Sequence, residues 1–146
     1  MIKENLKMTG SLEIAINGDT VCETHNLVVA LGKEHVTARL KDNTSDGAMS
    51  HMAIGTDSTA ADAADSALGA EAVRTAFDDV ADTSGTNTIK FITTFAAVGS
   101  GSDVAVTEAG LFNAASTGTM LARTVFGAVN KGADDVMTIT WTITVS

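Results

Sequence analysis

The stretch MTITWTITV, Met137–Val145, alternates without a break. Met137, Ile139, Trp141, Ile143 and Val145 fall on one side, and Thr138, Thr140, Thr142 and Thr144 on the other. A period of two held over this length fits a β-strand with one face on a core. The second face is unusual. Threonine favours strands, yet it carries no charge to guard an edge against pairing. The strand is therefore expected either at the centre of its sheet or covered by another chain.

The rest of the chain suits such a strand. Thirteen glycines and no prolines or tyrosines, with much threonine and alanine, favour short strands joined by glycine turns. Asn17-Gly18 inside SLEIAINGDTVCETHNLVV is a strong hairpin signal, with Leu12, Ile14 and Ile16 on one face and Val21 and Leu27 continuing it. MSHMAIGT (49–56) reads as a buried strand. VRTAFDDVAD (73–82) and TIKFITTF (88–95) read as a hairpin about SGTN, with Ile89, Phe91 and Phe95 on one face. VAVTEAGLFNA (104–114) and MLARTVF (120–126) form another hairpin, and NKGADD turns into the terminal strand. From Val29 the period changes: Val29, Gly32, Val36 and Leu40 predict a short amphipathic helix over 29–41, ended by DNTSDG. A further helical turn is expected near Ala63–Leu68. The fold class is mainly β: an antiparallel β-sandwich with one short amphipathic helix packed against it, in a single domain spanning 1–146.

A net charge of −9 argues against the nucleic-acid backbone as a partner. Segment 57–82 holds seven acids against one base, Arg74, which reads as a solvated face more readily than a docking patch. Cys22 is alone, so no disulfide forms within the chain. MIKENLKMTG lacks the apolar run of a signal peptide, and no apolar run reaches the ~20 residues of a membrane helix. Synthesis in a cytoplasm, with no membrane partner, is expected.

The search for chemistry returns little. Cys22 and His25 have C-x-x-H spacing, but His35 and His51 stand apart, so no structural metal site is expected and Cys22 reads as a small apolar filler. DSTAADAADS lacks the order of a calcium loop, and its acids read as surface groups. There is no G-x-S-x-G, and GSGSD lacks the residues of a phosphate loop. Asp78 and Asp79 point to opposite faces of a strand and cannot act together. No catalytic, cofactor-binding or metal-binding residue is assigned, and no enzymatic activity is expected. Glu108 is the one charge within VTEAGLF and would need a partner if buried. Arg123, in the facing strand, is the candidate: a structural pair that fixes register.

Three stretches carry a resemblance: NLVVALGKEHVTARL, MSHMAIGTDSTAA, and VTEAGLFNAASTGTMLARTVFGAVNKGADDVMTITWTITVS. Over residues 26–146 the chain resembles a family of small structural proteins of tailed-bacteriophage virions. The sharpest element is T-E-A-G-L-F-N followed by G-T-M-L-A-R, and a related hairpin occurs in tail-collar fibre proteins. The resemblance implies a non-enzymatic virion protein, assembled in the host cytoplasm. A capsid decoration (cement) protein on the outer surface of the major capsid protein shell is the first expectation, and a tail, neck or fibre-attachment component the alternative. A sugar-binding module is disfavoured, since Trp141 lies on the core face and no tyrosine is present. The missing lysine and glutamate from Thr138 to Ser146 suggest where contact occurs. Thr138, Thr140, Thr142 and Thr144, or the glycine-serine loop 99–102, are expected to touch a neighbouring copy in a homotrimer, or the shell protein or another virion protein.

Overall fold

Asn17 and Gly18 both take positive φ, 52° and 89°, the conformation a tight two-residue hairpin turn demands. The computed structural model in which they sit describes residues 3–41, 45–82, 86–97, 101 and 103–146. Its elements are β1 (Met8–Ile16), β2 (Asp19–His25), β3 (Leu27–Val28), α1 (Ala30–Leu40), β4 (His51–Gly55) and β5 (Glu71–Ala76). They continue with β6 (Asp79–Asp82), β7 (Thr88–Phe95), β8 (Val104–Phe112), β9 (Met120–Lys131) and β10 (Met137–Val145).

Two antiparallel sheets of five strands form a sandwich-like arrangement. The first runs β2-β1-β10-β7-β6 and the second β3-β9-β8-β4-β5. The alternating strand is the centre of the first sheet, paired with β1 on one side and β7 on the other. Its apolar side meets the second sheet: Leu12, Ile14, Phe91, Ile139 and Trp141 pack with Met52, Ile54, Val106, Leu111 and Leu121 in one cluster. Trp141 is fully buried, and its Nε1 donates to Asn26 Oδ1 at 2.9 Å. Asn26 stands where the chain leaves the first sheet for the second, so the central indole is tied to that crossing.

The second sheet is covered on its other face too. Val29, Ala53, Leu68, Phe112 and Met120 form a separate cluster there. Segment 56–70 and the start of α1 supply the cover. This third layer explains why LF in the β8 motif is buried on both sides.

Several expectations are corrected. The helix forms with Val29 and Gly32 buried and Val36 against the core, as the spacing predicts, but His35 is buried beside them and Leu40 is 83% exposed. Gly32 is there for contact: a Cβ would strike the backbone carbonyl of Leu121 on β9. No helical turn forms over Ala63–Leu68. A single turn at Ala63 and Ala64, closed by Asp65 N donating to Asp62 O, is followed by irregular chain whose Gly69 and Ala70 N–H groups are held by a side chain. VRTAFDDVAD is two strands, not one. Residues through Ala76 pair with β4 in the second sheet, whereas Asp79–Asp82 pair with β7 in the first. The switch is fixed at its corner, where Phe77 N donates to Ser50 O and Asp78 N to Ile92 O. On β2 a register shift opposite Ala15 turns Cys22 and Thr24 inward and leaves Val21 52% exposed. The turns DNTSDG and SGTN lie partly outside the described residues, as does the loop 99–102 apart from Gly101.

Candidate functional site: an uncharged sheet face and a buried charge cluster

The register across the first sheet sets the surroundings of each threonine. Thr144 lies between Thr9 and Thr88, Thr142 between Ser11 and Lys90, Thr140 between Glu13 and Ile92, and Thr138 between Ala15 and Thr94. All four β10 threonines are half-buried. Thr144 and Thr88 share a hydroxyl contact at 3.3 Å. Because both edges of β10 are already paired, what it offers outward is a face of methyls and hydroxyls. The missing lysine and glutamate from Thr138 to Ser146 therefore leave no edge unguarded, since β10 is the central strand of its sheet. Charge flanks the threonines instead: Glu13 faces Glu23 across the β1–β2 pair, and Lys90 stands on β7. Ser11, Glu13, His25, Lys90, Thr140 and Thr142 border one shallow depression on this face.

The buried charges lie on the outward face of the second sheet, under segment 56–70. Glu108 is fully buried and Arg123 is 2% exposed. Arg123 Nε and Nη2 donate to Glu108 Oε2 at 3.0 and 2.8 Å. The two residues are diagonal, not directly opposed: Glu108 faces Val125, and Arg123 faces Gly110. Three backbone N–H groups also reach this carboxylate, those of Asp57, Gly69 and Ala70 at 3.2, 3.0 and 2.7 Å. Arg123 then extends Nη1 to Asp65 (2.9 Å) and Nη2 to Asp57 (3.2 Å). The backbone hydrogen bond from Asp62, and after it Arg123, hold the Asp65 carboxyl below its ordinary range. The acidic segment is thus more than a solvated face. Asp57 and Asp65 close on Arg123, Glu71 grips Arg74, and Asp78 accepts from Thr94 N.

The motif around Glu108 can be read atom by atom. Thr107 Oγ1 donates to Asp57 O at 2.9 Å. Gly110 leaves space that Phe112, Leu68 and Met120 fill. The Asn113 side chain accepts from Thr119 N, closing the hairpin loop whose Thr117 and Gly118 both have positive φ. Sequence reasoning missed Arg74. Its guanidinium lies 3.6 Å from the centre of the Phe112 ring and donates to Glu71 and to the carbonyls of Ala114 and Thr117. The E-x-x-R spacing was the available signal, but this part of the chain offers no period that would place its partner loop.

The candidate metal ligands are scattered. His25 is exposed on β2, His35 Nδ1 meets Asp46 at 2.6 Å under α1, and His51 Nδ1 meets Ser50. Burial, and then Glu23, push the Cys22 thiol up. Among the described residues no group of three or more His, Cys, Asp or Glu side chains is placed to hold a metal ion. Asp78 and Asp79 separate at the corner between sheets, the first capping Thr94 N and the second opposing Ile92. Comparison with protein-family profiles, with curated proteins and with solved structures finds no match for this chain.

Proposed function

We propose that the protein is a non-enzymatic structural component of a bacteriophage virion, a decoration protein that binds the outer surface of the major capsid protein shell as a homotrimer. The supporting observation is the half-buried threonine face at the centre of the first sheet. A partner can cover such a face without desolvating a charge at its centre, while Glu13 and Lys90 remain at the flanks to orient it. The motif that carries the resemblance is spent on the fold: Glu108, Gly110, Leu111 and Phe112 are all buried. It serves as scaffold, and the threonine face serves as the contact. That same hairpin resembles tail-collar fibre proteins, so a tail, neck or fibre-attachment position is the second reading.

Thr140→Lys with Thr142→Lys is the test. The isolated double variant should melt as wild type, because both side chains point away from the core, yet it should fail to join particles. Normal incorporation would show that the face is not the contact. Imaging of the intact particle separates the two positions: hundreds of copies mark the shell, a few dozen or fewer the tail.

A further inference from the structure

β5 is a sheet edge of a kind that proteins usually blunt. It pairs with β4 from His51↔Ala76 to Ile54↔Val73 in unbroken register, and no described backbone bond lies on its far side. Val73 on this edge is 43% exposed. Beside it, a cleft of about 350 Å³ opens between the sheets, walled by Ile54, Val73, Phe95 and Val104, with Lys131 among its lining residues. Lys131 is 8% exposed, and among the described residues its hydrogen bond goes to the carbonyl of Ala96, while Asp135 acts on it only from beyond ion-pair range.

An unpaired edge next to an apolar cleft suits one kind of occupant: an extended segment that pairs through its backbone and sends alternate side chains inward. The chain itself holds such a segment. Residues Lys3–Leu6 precede β1, are exposed and lie outside both sheets, while Lys7 extends the β1–β10 ladder by exchanging backbone hydrogen bonds with Ser146; Leu6 is 82% exposed. Extended, the four residues span about 13 Å, the length of the Val73–Ala76 run they would pair. Leu6 and Glu4 fall on one side, and Lys3 and Asn5 on the other. Leu6 matches the apolar wall, and Glu4 would bring a carboxylate within hydrogen-bond range of Lys131. The outward Lys3 would lie on the face that carries Glu71. The segment leaves the sandwich at the Ser146 end, where Lys7 N donates to Ser146 O, whereas the cleft lies at the Met137 end of the same strand, next to Phe95. It is poorly placed to reach its own cleft and well placed to reach that of a neighbour.

We infer that Lys3–Leu6 of one copy adds as a strand to β5 of a second copy, with Leu6 in the cleft and Glu4 toward Lys131. Such a head-to-tail contact closes into a ring when the rotation allows and otherwise propagates. The inference concerns copy against copy and does not depend on where in a virion the protein sits.

Analytical ultracentrifugation of the purified full chain tests it. Wild type should self-associate, and Leu6→Lys and Val73→Lys should each weaken this by more than about tenfold while keeping wild-type circular dichroism. Leu6→Lys keeps an intact cleft and Val73→Lys an intact arm, so a mixture should give a heterodimer that neither forms alone. A monomeric wild type overturns the inference, as does undiminished association of Leu6→Lys. So does a mixture that stays monomeric although wild type associates. If Val73→Lys loses its fold, Lys131→Gln takes its place in the same mixture.

Discussion

Single side chains carry unequal weight here, and Trp141 carries the most in the core. Trp141→Ala should cost about 3–5 kcal/mol in urea melts, the range for truncating a buried aromatic. Trp141→Phe should cost less but still be destabilising, because it removes the hydrogen bond to Asn26 Oδ1, whose amide nitrogen is already buried without a partner among the described residues. Thr93 offers the opposite case. It is fully buried, and its hydroxyl has no partner among the described residues. Thr93→Val keeps the shape and removes the desolvated hydroxyl, so a gain of up to about 1 kcal/mol is expected in the same assay. Arg123→Met should be severe, about 3–5 kcal/mol, since it leaves the buried Glu108 carboxyl without its counter-ion. Adding Glu108→Gln to it should recover part of that loss, and a double-mutant cycle with coupling near zero would contradict the geometry. The Glu108–Arg123 pairing was legible because a lone charge in an apolar strand must find its opposite. Its reach to Asp57 and Asp65 was not, since nothing local says that a loop many residues earlier folds over the sheet.

Among the elements, α1 shows how far a pattern can place a helix face. Of Val29, Gly32, Val36 and Leu40, which recur at helical spacing, Val29 and Gly32 are buried and Val36 packs against the core, while His35 joins them and Leu40 stays exposed. The close approach of backbone to β9 decides the orientation, and the residue that permits it has no side chain to signal it. Gly32→Ala sets two effects against each other. Helix propensity favours alanine by about 1 kcal/mol. The new Cβ meets a backbone carbonyl that cannot step aside, and overpacking of this kind costs about 1–3 kcal/mol. Net destabilisation is expected, with loss of amide-exchange protection in α1 before β9. Strands were read more reliably than sheets. The alternation in β7 and β10 gave their faces directly, while the division of VRTAFDDVAD between two sheets rests on hydrogen bonds at Phe77 and Asp78 to distant chain, invisible to any local period.

At the scale of the whole molecule, acid should loosen the third layer first. Asp65 is held below the ordinary aspartate value in the fold, so its contribution is fully present above the unfolded value and is lost as pH falls through the folded one. Urea melts across that acid range should show a slope that Asp65→Asn reduces, with segment 56–70 becoming protease-sensitive ahead of global unfolding. The order of strands has a consequence for how the molecule is made. The central pairing of the first sheet joins Met8 to Val145, so β1 acquires that partner only when synthesis reaches β10. The second sheet is different: the β8–β9 hairpin is local and can form while the chain is still attached to the ribosome. Leu12 and Ile14 must wait, exposed, behind it. Contacts this distant in sequence slow folding, and the interval is one in which a nascent chain is open to aggregation or capture by chaperones. Chains stalled before Met137 should be digested throughout β1 and β2, whereas chains stalled after full emergence of Ser146 should resist.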